Sequence, residues 1–222
     1  MYSILEHYLS TNHILMIGMI VTFILTFFLL EHPFSFLPSD QGRAFAVNGS
    51  LSKGKLRGVG FIFVLCFLIS SVLFLPIDVE YVIYAILLFA MMISGYLDDA
   101  SKTPWNEYKK GLIDLVISVV AVLTYMNFNS TTICFGADEI VIPKALFLIL
   151  GVILIWVSVN VTNCTDGVDG LCASLCSVTL LAFGVLFAPV LQKYAMANFL
   201  FLSVLFAYLY FNSSPSSMLM GD

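Results

Sequence analysis

Seven apolar runs dominate this 222-residue chain, near residues 14–30, 59–75, 81–97, 112–128, 145–161, 171–190 and 195–211. A helix of about 20 mainly apolar residues crosses a hydrocarbon core about 30 Å thick. A backbone in lipid must satisfy its own hydrogen bonds, so helices and closed barrels are the available solutions. The alternating strands of a barrel are absent here. The fold expected is therefore all-α: a polytopic transmembrane helix bundle with seven helices, forming a single integral membrane domain over residues 1–222. Composition agrees, since 60% of the residues are hydrophobic and 10% charged, whereas soluble domains average about 45–50% apolar.

Loop charge sets the orientation, because cytoplasmic loops retain Lys and Arg. The loop after the first run holds Arg43, Lys53, Lys55 and Arg57, and the loop after the third holds Lys102, Lys109 and Lys110. Only Lys144 and Lys193 fall on the other side, so seven of nine cations place the N-terminus outside. The net charge of −5, with no basic cluster beside an aromatic surface, points away from nucleic acid. The first run is not a signal peptide, since Glu6 and His7 precede it and Glu31-His32-Pro33 follows. The five cysteines include no CxxC pair, and neither a disulfide nor a zinc site is expected.

Two connections are long. The loop at 32–58 carries four glycines and four cations, a composition suited to anion capture and equally to plain positive-inside turns. The outside loop at 129–143, with its turn signal Gly136-Ala-Asp138, predicts a short hairpin.

Three acidic motifs follow the third, fifth and seventh runs: Asp98-Asp99, then Asn160-Val-Thr-Asn163-Cys-Thr-Asp166-Gly-Val-Asp169-Gly170, then Met220-Gly221-Asp222. In a serpentine bundle every second segment exits on the same face, so parity gathers all three at one membrane surface. Adjacent carboxylates at a helix end repel and persist where a cation or substrate compensates. On a helix they point about 100° apart, which favours a division of labour in which one faces substrate and the other orients a partner. The amides and carboxylates of the central motif recur every third residue and can read ribose hydroxyls and a base edge. Hard carboxylate oxygens without clustered His or Cys select magnesium over zinc or iron.

The order of these motifs, with Asn212-x-x-Pro215 ahead of Met-Gly-Asp, resembles the polyprenyl-phosphate N-acetylhexosamine-1-phosphate transferases (glycosyltransferase family 4) over about residues 94–222. The branch it is most similar to handles phospho-N-acetylmuramoyl-pentapeptide. The resemblance implies ten helices, of which this chain holds seven and stops short at its C-terminal side. It implies transfer of phospho-N-acetylmuramoyl-pentapeptide from UDP to undecaprenyl phosphate, releasing UMP and making lipid I for peptidoglycan. The cofactor implied is Mg2+. The partners implied are UDP-N-acetylmuramoyl-pentapeptide, undecaprenyl phosphate and membrane lipid, with a homodimer as a further option. The location implied is the bacterial plasma membrane, with the active site on its cytoplasmic face.

By position, the resemblance makes Asp222 the magnesium ligand and Asp98 the carboxylate that meets the lipid phosphate, with Asp99 its catalytic neighbour. Asn160, Asn163, Asp166, Asp169 and Asn212 become substrate-binding, as do Lys53, Lys102 and Lys110, with Lys109 as alternative to Lys110. Leu219 departs from the pattern, standing where the family has an aromatic suited to stacking on uracil. The segment Ser52-Lys-Gly-Lys-Leu-Arg-Gly58 departs from the family's usual loop, and the histidine-rich loop that reads the sugar is expected beyond residue 222. Two other readings stand beside this one. One is a sister enzyme carrying N-acetylglucosamine-1-phosphate for teichoic acid or surface polysaccharide, and the other is an inactive membrane scaffold or transporter.

Overall fold

The computed structural model describes residues 1–32, 34–40, 42, 52–101, 103, 105–135 and 138–221, the Phe135 side chain excepted. Among the described residues the order is α1 (Tyr2–Leu5), α2 (Thr11–Glu31), α3 (Gly60–Phe74), α4 (Val79–Asp99), α5 (Glu107–Phe128), β1 (Thr132–Phe135), β2 (Asp138–Val141), α6 (Lys144–Thr165), α7 (Leu171–Phe187) and α8 (Gln192–Asn212). The chain is a polytopic membrane helix bundle.

Five helices, α2, α4, α5, α6 and α8, are long and apolar enough to cross a membrane. This corrects the expectation of seven spans. The runs at 59–75 and 171–190 form helices of only 15 and 17 residues; at 1.5 Å per residue α3 is about 22 Å long, short of a core of about 30 Å. The causes are local. Gly58, at φ +74°, ends the preceding loop and leaves Val59, the first residue of the run, as the cap ahead of α3. Leu75 is extended at its other end, as the residue before Pro76 must be, and Pro189 lies in the turn that follows α7. The hairpin expected in the outside loop is present, with β1 and β2 antiparallel and Thr132 opposite Val141.

The most buried helix is α8, which packs against α2, α3 and α7. Leu200, Val204, Leu205 and Tyr208 meet Ile14 of α2 and Phe63, Phe67 and Phe74 of α3 in one apolar core. Gly18 permits a close approach: a Cβ there would lie 3.0 Å from Phe74 Cγ and 3.1 Å from Leu200 Cδ2, the small-residue packing by which helices associate where lipid is as apolar as their side chains. At the other extreme α6 has no buried residue and leans on α5, where Trp156 Nε1 donates to Gly111 O at 2.9 Å. Large exposed side chains such as Phe28, Ile86, Leu154 and Leu186 present a lipid-facing surface.

The end of the bundle away from the acidic motifs is closed by polar side chains. Glu80 is buried and accepts from Asn129 Nδ2 at 2.7 Å, Tyr194 Oη at 3.1 Å and Tyr84 Oη at 3.2 Å. Asp78 caps α4 by accepting from Tyr81 N at 2.8 Å and pairs with Lys193 at the start of α8. Burial raises the Asp78 carboxyl, but the hydrogen bonds from Lys193 and Tyr81 together with the lysine charge outweigh it and hold the group below its ordinary range.

Candidate functional site

The third, fifth and seventh apolar runs end at the same side of the bundle, and the segments that follow are bonded to one another. The Met218–Gly221 stretch lies along the start of α3: Leu219 N donates to Leu56 O at 2.8 Å, Val59 N to Leu219 O at 3.4 Å and Gly60 N to Met220 O at 2.9 Å. The central motif grips the same stretch from the other side. Asp169 accepts from Ser216 N at 3.0 Å and from Ser216 Oγ at 2.8 Å, and the Lys55 ammonium donates to Ser216 Oγ at 2.9 Å. Asn212, only 2% exposed, accepts from Gly170 N at 2.9 Å and donates to Met218 O at 3.0 Å. Gly170 can offer that N–H because it takes a left-handed φ of +75° at the turn into α7. Asn212 and Asp169 thus act as connectors of the loop, and their polar atoms meet protein partners.

The two adjacent aspartates divide as their 100° separation requires. Asp98 Oδ1 accepts from Trp105 N at 2.7 Å, and its Oδ2 lies 4.0 Å from Lys110 Nζ. The Lys109 ammonium sits 3.3 Å from the centroid of the Trp105 ring, a cation–π contact. Between the two candidate lysines, Lys110 is therefore the one that faces the carboxylate. Asp99 turns the other way: its Oδ1 forms an ion pair with Arg57, 2.7 Å from Nε, and its side chain is 1% exposed.

Asn160, Asn163 and Asp166 are half-buried along the last turns of α6. Asn160 Nδ2 donates to Trp156 O at 2.8 Å, an i−4 contact within the helix, while Asn163 O accepts from Asp166 N at 3.1 Å where the helix ends. Lys53 is exposed in the turn ahead of Gly54. Lys102 and Asp222 lie outside the described residues. Leu219 is 2% exposed, so in this chain its position is interior packing and offers no open stacking face.

Among the described residues no group of three or more His, Cys, Asp or Glu side chains is arranged to hold a metal ion. Magnesium does not require one. It keeps several waters and is held by one or two carboxylates together with substrate phosphates, and the Asp98 carboxylate is of that donor type.

Residues 81–222, more than half of the chain, match the family described as Glycosyl transferase family 4. The chain belongs to glycosyl transferase family 4. It is 32% identical to the phospho-N-acetylmuramoyl-pentapeptide-transferase of Treponema pallidum (strain Nichols) over 228 residues, covering 93% of this chain and 63% of that protein. Proteins of the same name from Dictyoglomus turgidum and Microcystis aeruginosa are 26% and 30% identical, covering 95% and 73% of this chain and 69% and 48% of theirs. The chain thus spans a little under two thirds of the length of its Treponema relative.

In this glycosyl transferase family 4 chain, residues not singled out as site candidates at the sequence level complete the motif end. They are Arg57, Asp40 and Ser216. Arg57 counted only as one of the four cations of the 32–58 loop, and its partner Asp99 lies too far along the chain for local pattern to mark the pair. Asp40 is buried and accepts from Ser52 Oγ and, at 3.1 Å, from Gly42 N. Nothing in the local pattern of Ser216 marks it, because its partners lie 47 and 161 residues away.

Proposed function

We propose that this glycosyl transferase family 4 chain carries the transfer site of an enzyme that moves a sugar phosphate from UDP to a polyprenyl phosphate. Its substrates in this reading are UDP-N-acetylmuramoyl-pentapeptide and undecaprenyl phosphate, after the names of the Treponema and Dictyoglomus relatives. The observation that carries the reading is the gathering of the Asp98–Lys110 pair, the half-buried amides of α6 and the Met218–Gly221 stretch at one end of the bundle.

The chemistry is an in-line displacement. An oxygen of the lipid phosphate attacks the sugar-linked phosphorus, the bond from that phosphorus to the bridging oxygen breaks, and UMP leaves with the bridging oxygen. Asp98 takes or steers the proton of the attacking phosphate, and its bond from Trp105 N fixes the carboxylate's orientation. Lys110, with Lys102 and Lys53, supplies positive charge to the phosphates. Asn160, Asn163 and Asp166 meet the nucleoside, with Asp169 and Asn212 shaping the loop beside it. Asp222 holds Mg2+, which when bound draws charge from the pyrophosphate oxygens. The seven-to-two division of cations supports a cytoplasmic position for this end, in this reading at a bacterial plasma membrane where the nucleotide substrate is made and the acceptor lies.

The test uses the full-length protein with undecaprenyl phosphate, presenting UDP-N-acetylmuramoyl-pentapeptide and UDP-N-acetylglucosamine in parallel. Mg2+-dependent UMP release from the muramoyl substrate is expected. Release from the simpler sugar alone would assign the chain to the sister reaction.

A further inference from the structure

Asp99 lies next to the proposed proton acceptor, yet its surroundings are those of a structural joint. Its carboxylate reaches into a junction of three segments. Oδ1 lies 2.7 Å from Arg57 Nε in an ion pair. Oδ2 lies where two glycines meet: a Cβ on Gly221 would fall 2.0 Å from Oδ2 and 2.7 Å from Gly58 Cα, and a Cβ on Gly58 would fall 3.4 Å from Oδ2. Both glycines hold positive φ, +87° at Gly221 and +74° at Gly58, so a side chain would be strained at either position and, at Gly221, crowded as well.

Arg57 is shared. Its Nη1 lies 3.5 Å from Asp40 Oδ1, and both carboxylate side chains are 1% exposed while Arg57 is 30% exposed. The backbone around it is fixed too: Arg57 N donates to Pro38 O at 2.9 Å and Asp40 N to Lys55 O at 2.8 Å. One planar guanidinium thus ties the loop ahead of α3 to the end of α4, and the Asp99 carboxylate bears directly on the Gly221 backbone. A lysine cannot reproduce this, since it offers a compact charge without a fork.

We propose that Arg57 and Asp99 form a positioning clamp that seats the Met218–Gly221 stretch against the start of α3. Asp99 is then a positioning residue and Asp98 alone of the pair touches the reacting atoms. The seating itself is independent of what the site does, whereas its effect on turnover rests on the transferase reading above.

The experiment follows hydrogen exchange by mass spectrometry in the full-length protein for Arg57→Ala, Asp99→Asn, the double variant and Arg57→Lys, beside nucleotide affinity and turnover. Loss of the clamp speeds exchange about tenfold at 218–221 and at 56–60, to the same extent in both single variants and in the double, with the cores of α2 and α8 unchanged. Arg57→Lys falls between these and wild type, and reports even where Arg57→Ala unfolds broadly. Turnover drops about 100-fold, the scale of a misplacement of about 1 Å, with no further loss in the double variant and nucleotide affinity within about threefold of wild type. Unchanged exchange at 218–221 in Asp99→Asn and Arg57→Lys overturns the clamp whatever the activity. Losses of turnover that multiply in the double variant overturn it as well, by giving Asp99 a separate catalytic part. Altered exchange in a protein that transfers no sugar phosphate upholds the clamp and rejects the transferase reading instead.

Discussion

The two ends of the bundle use carboxylates in opposite ways. At the end away from the motifs, Glu80 is buried and takes hydrogen bonds from Tyr84, Asn129 and Tyr194, side chains of three different segments. An acid at the end of a membrane helix is costly, and there the cost is offset by neighbours that hold α4, α5 and α8 together. At the motif end, Asp98 stands 4.0 Å from Lys110, and the loops at that end are held by Asp99, Asp169 and Asn212. One end uses its acids for cohesion. The other uses three polar side chains for cohesion and presents a fourth toward a cation.

If that contrast is sound, mutations at the two ends should separate activity from stability. The largest effect is expected for Asp98→Asn in the full-length protein. The amide oxygen can still accept from Trp105 N, so the melting temperature should stay near wild type, while turnover falls about 1000-fold, within the range for loss of a general base. A parallel fall in stability would break the contrast. Next is Glu80→Ala, which leaves Tyr84, Asn129 and Tyr194 without their shared acceptor. Unfolding in detergent should become easier by about 2–3 kcal/mol, with turnover per folded molecule unchanged. A catalytic defect there would show that the far end communicates with the site.

A smaller change sharpens the division within the motif end. Asp169→Ala removes the acceptor for Ser216 N and Oγ and should cost about 1 kcal/mol, with faster exchange at residues 212–217. The smallest effect is expected at Asp78, whose side chain is 54% exposed. Its folded carboxyl is held below the unfolded value of about 3.9. The Lys193 pair therefore contributes fully above about pH 4 and is lost as pH falls through the folded value. Asp78→Asn should lower stability by less than about 1 kcal/mol at neutral pH, and the difference from wild type should vanish on acidification.

Much of the framework was legible in the apolar runs. The elements α2, α4, α5, α6 and α8 appear where 17 or so consecutive apolar residues demanded a helix, and the Gly136-Ala-Asp138 signal marked the hairpin at 132–141. The runs that formed α3 and α7 misled because hydropathy counts residues such as Val59 and Val190 without regard to Gly58 and Pro189, which take them out of the helix. Parity anticipated that the segments following α4, α6 and α8 would meet at one end of the bundle, and the helical period anticipated that Asp98 and Asp99 would part. Spacing along one helix could not show which loop returns to which helix end. Arg57 with Asp99, Lys55 with Ser216 and Gly170 with Asn212 are pairs made by tertiary folding, at separations where local pattern carries no signal. The inward face of Leu219 has the same origin, since it depends on the strand-like seat beside Leu56.

The most direct test labels the sugar-linked phosphorus of UDP-N-acetylmuramoyl-pentapeptide and asks where the label goes in full-length wild type, Asp98→Asn and Glu80→Ala, each with undecaprenyl phosphate and Mg2+. The label should enter the butanol-extractable lipid with wild type and with folded Glu80→Ala, and stay aqueous with Asp98→Asn. Label confined to water-soluble products in wild type, or lipid labelling by Asp98→Asn at the wild-type rate, would contradict a phosphotransfer site at the motif end.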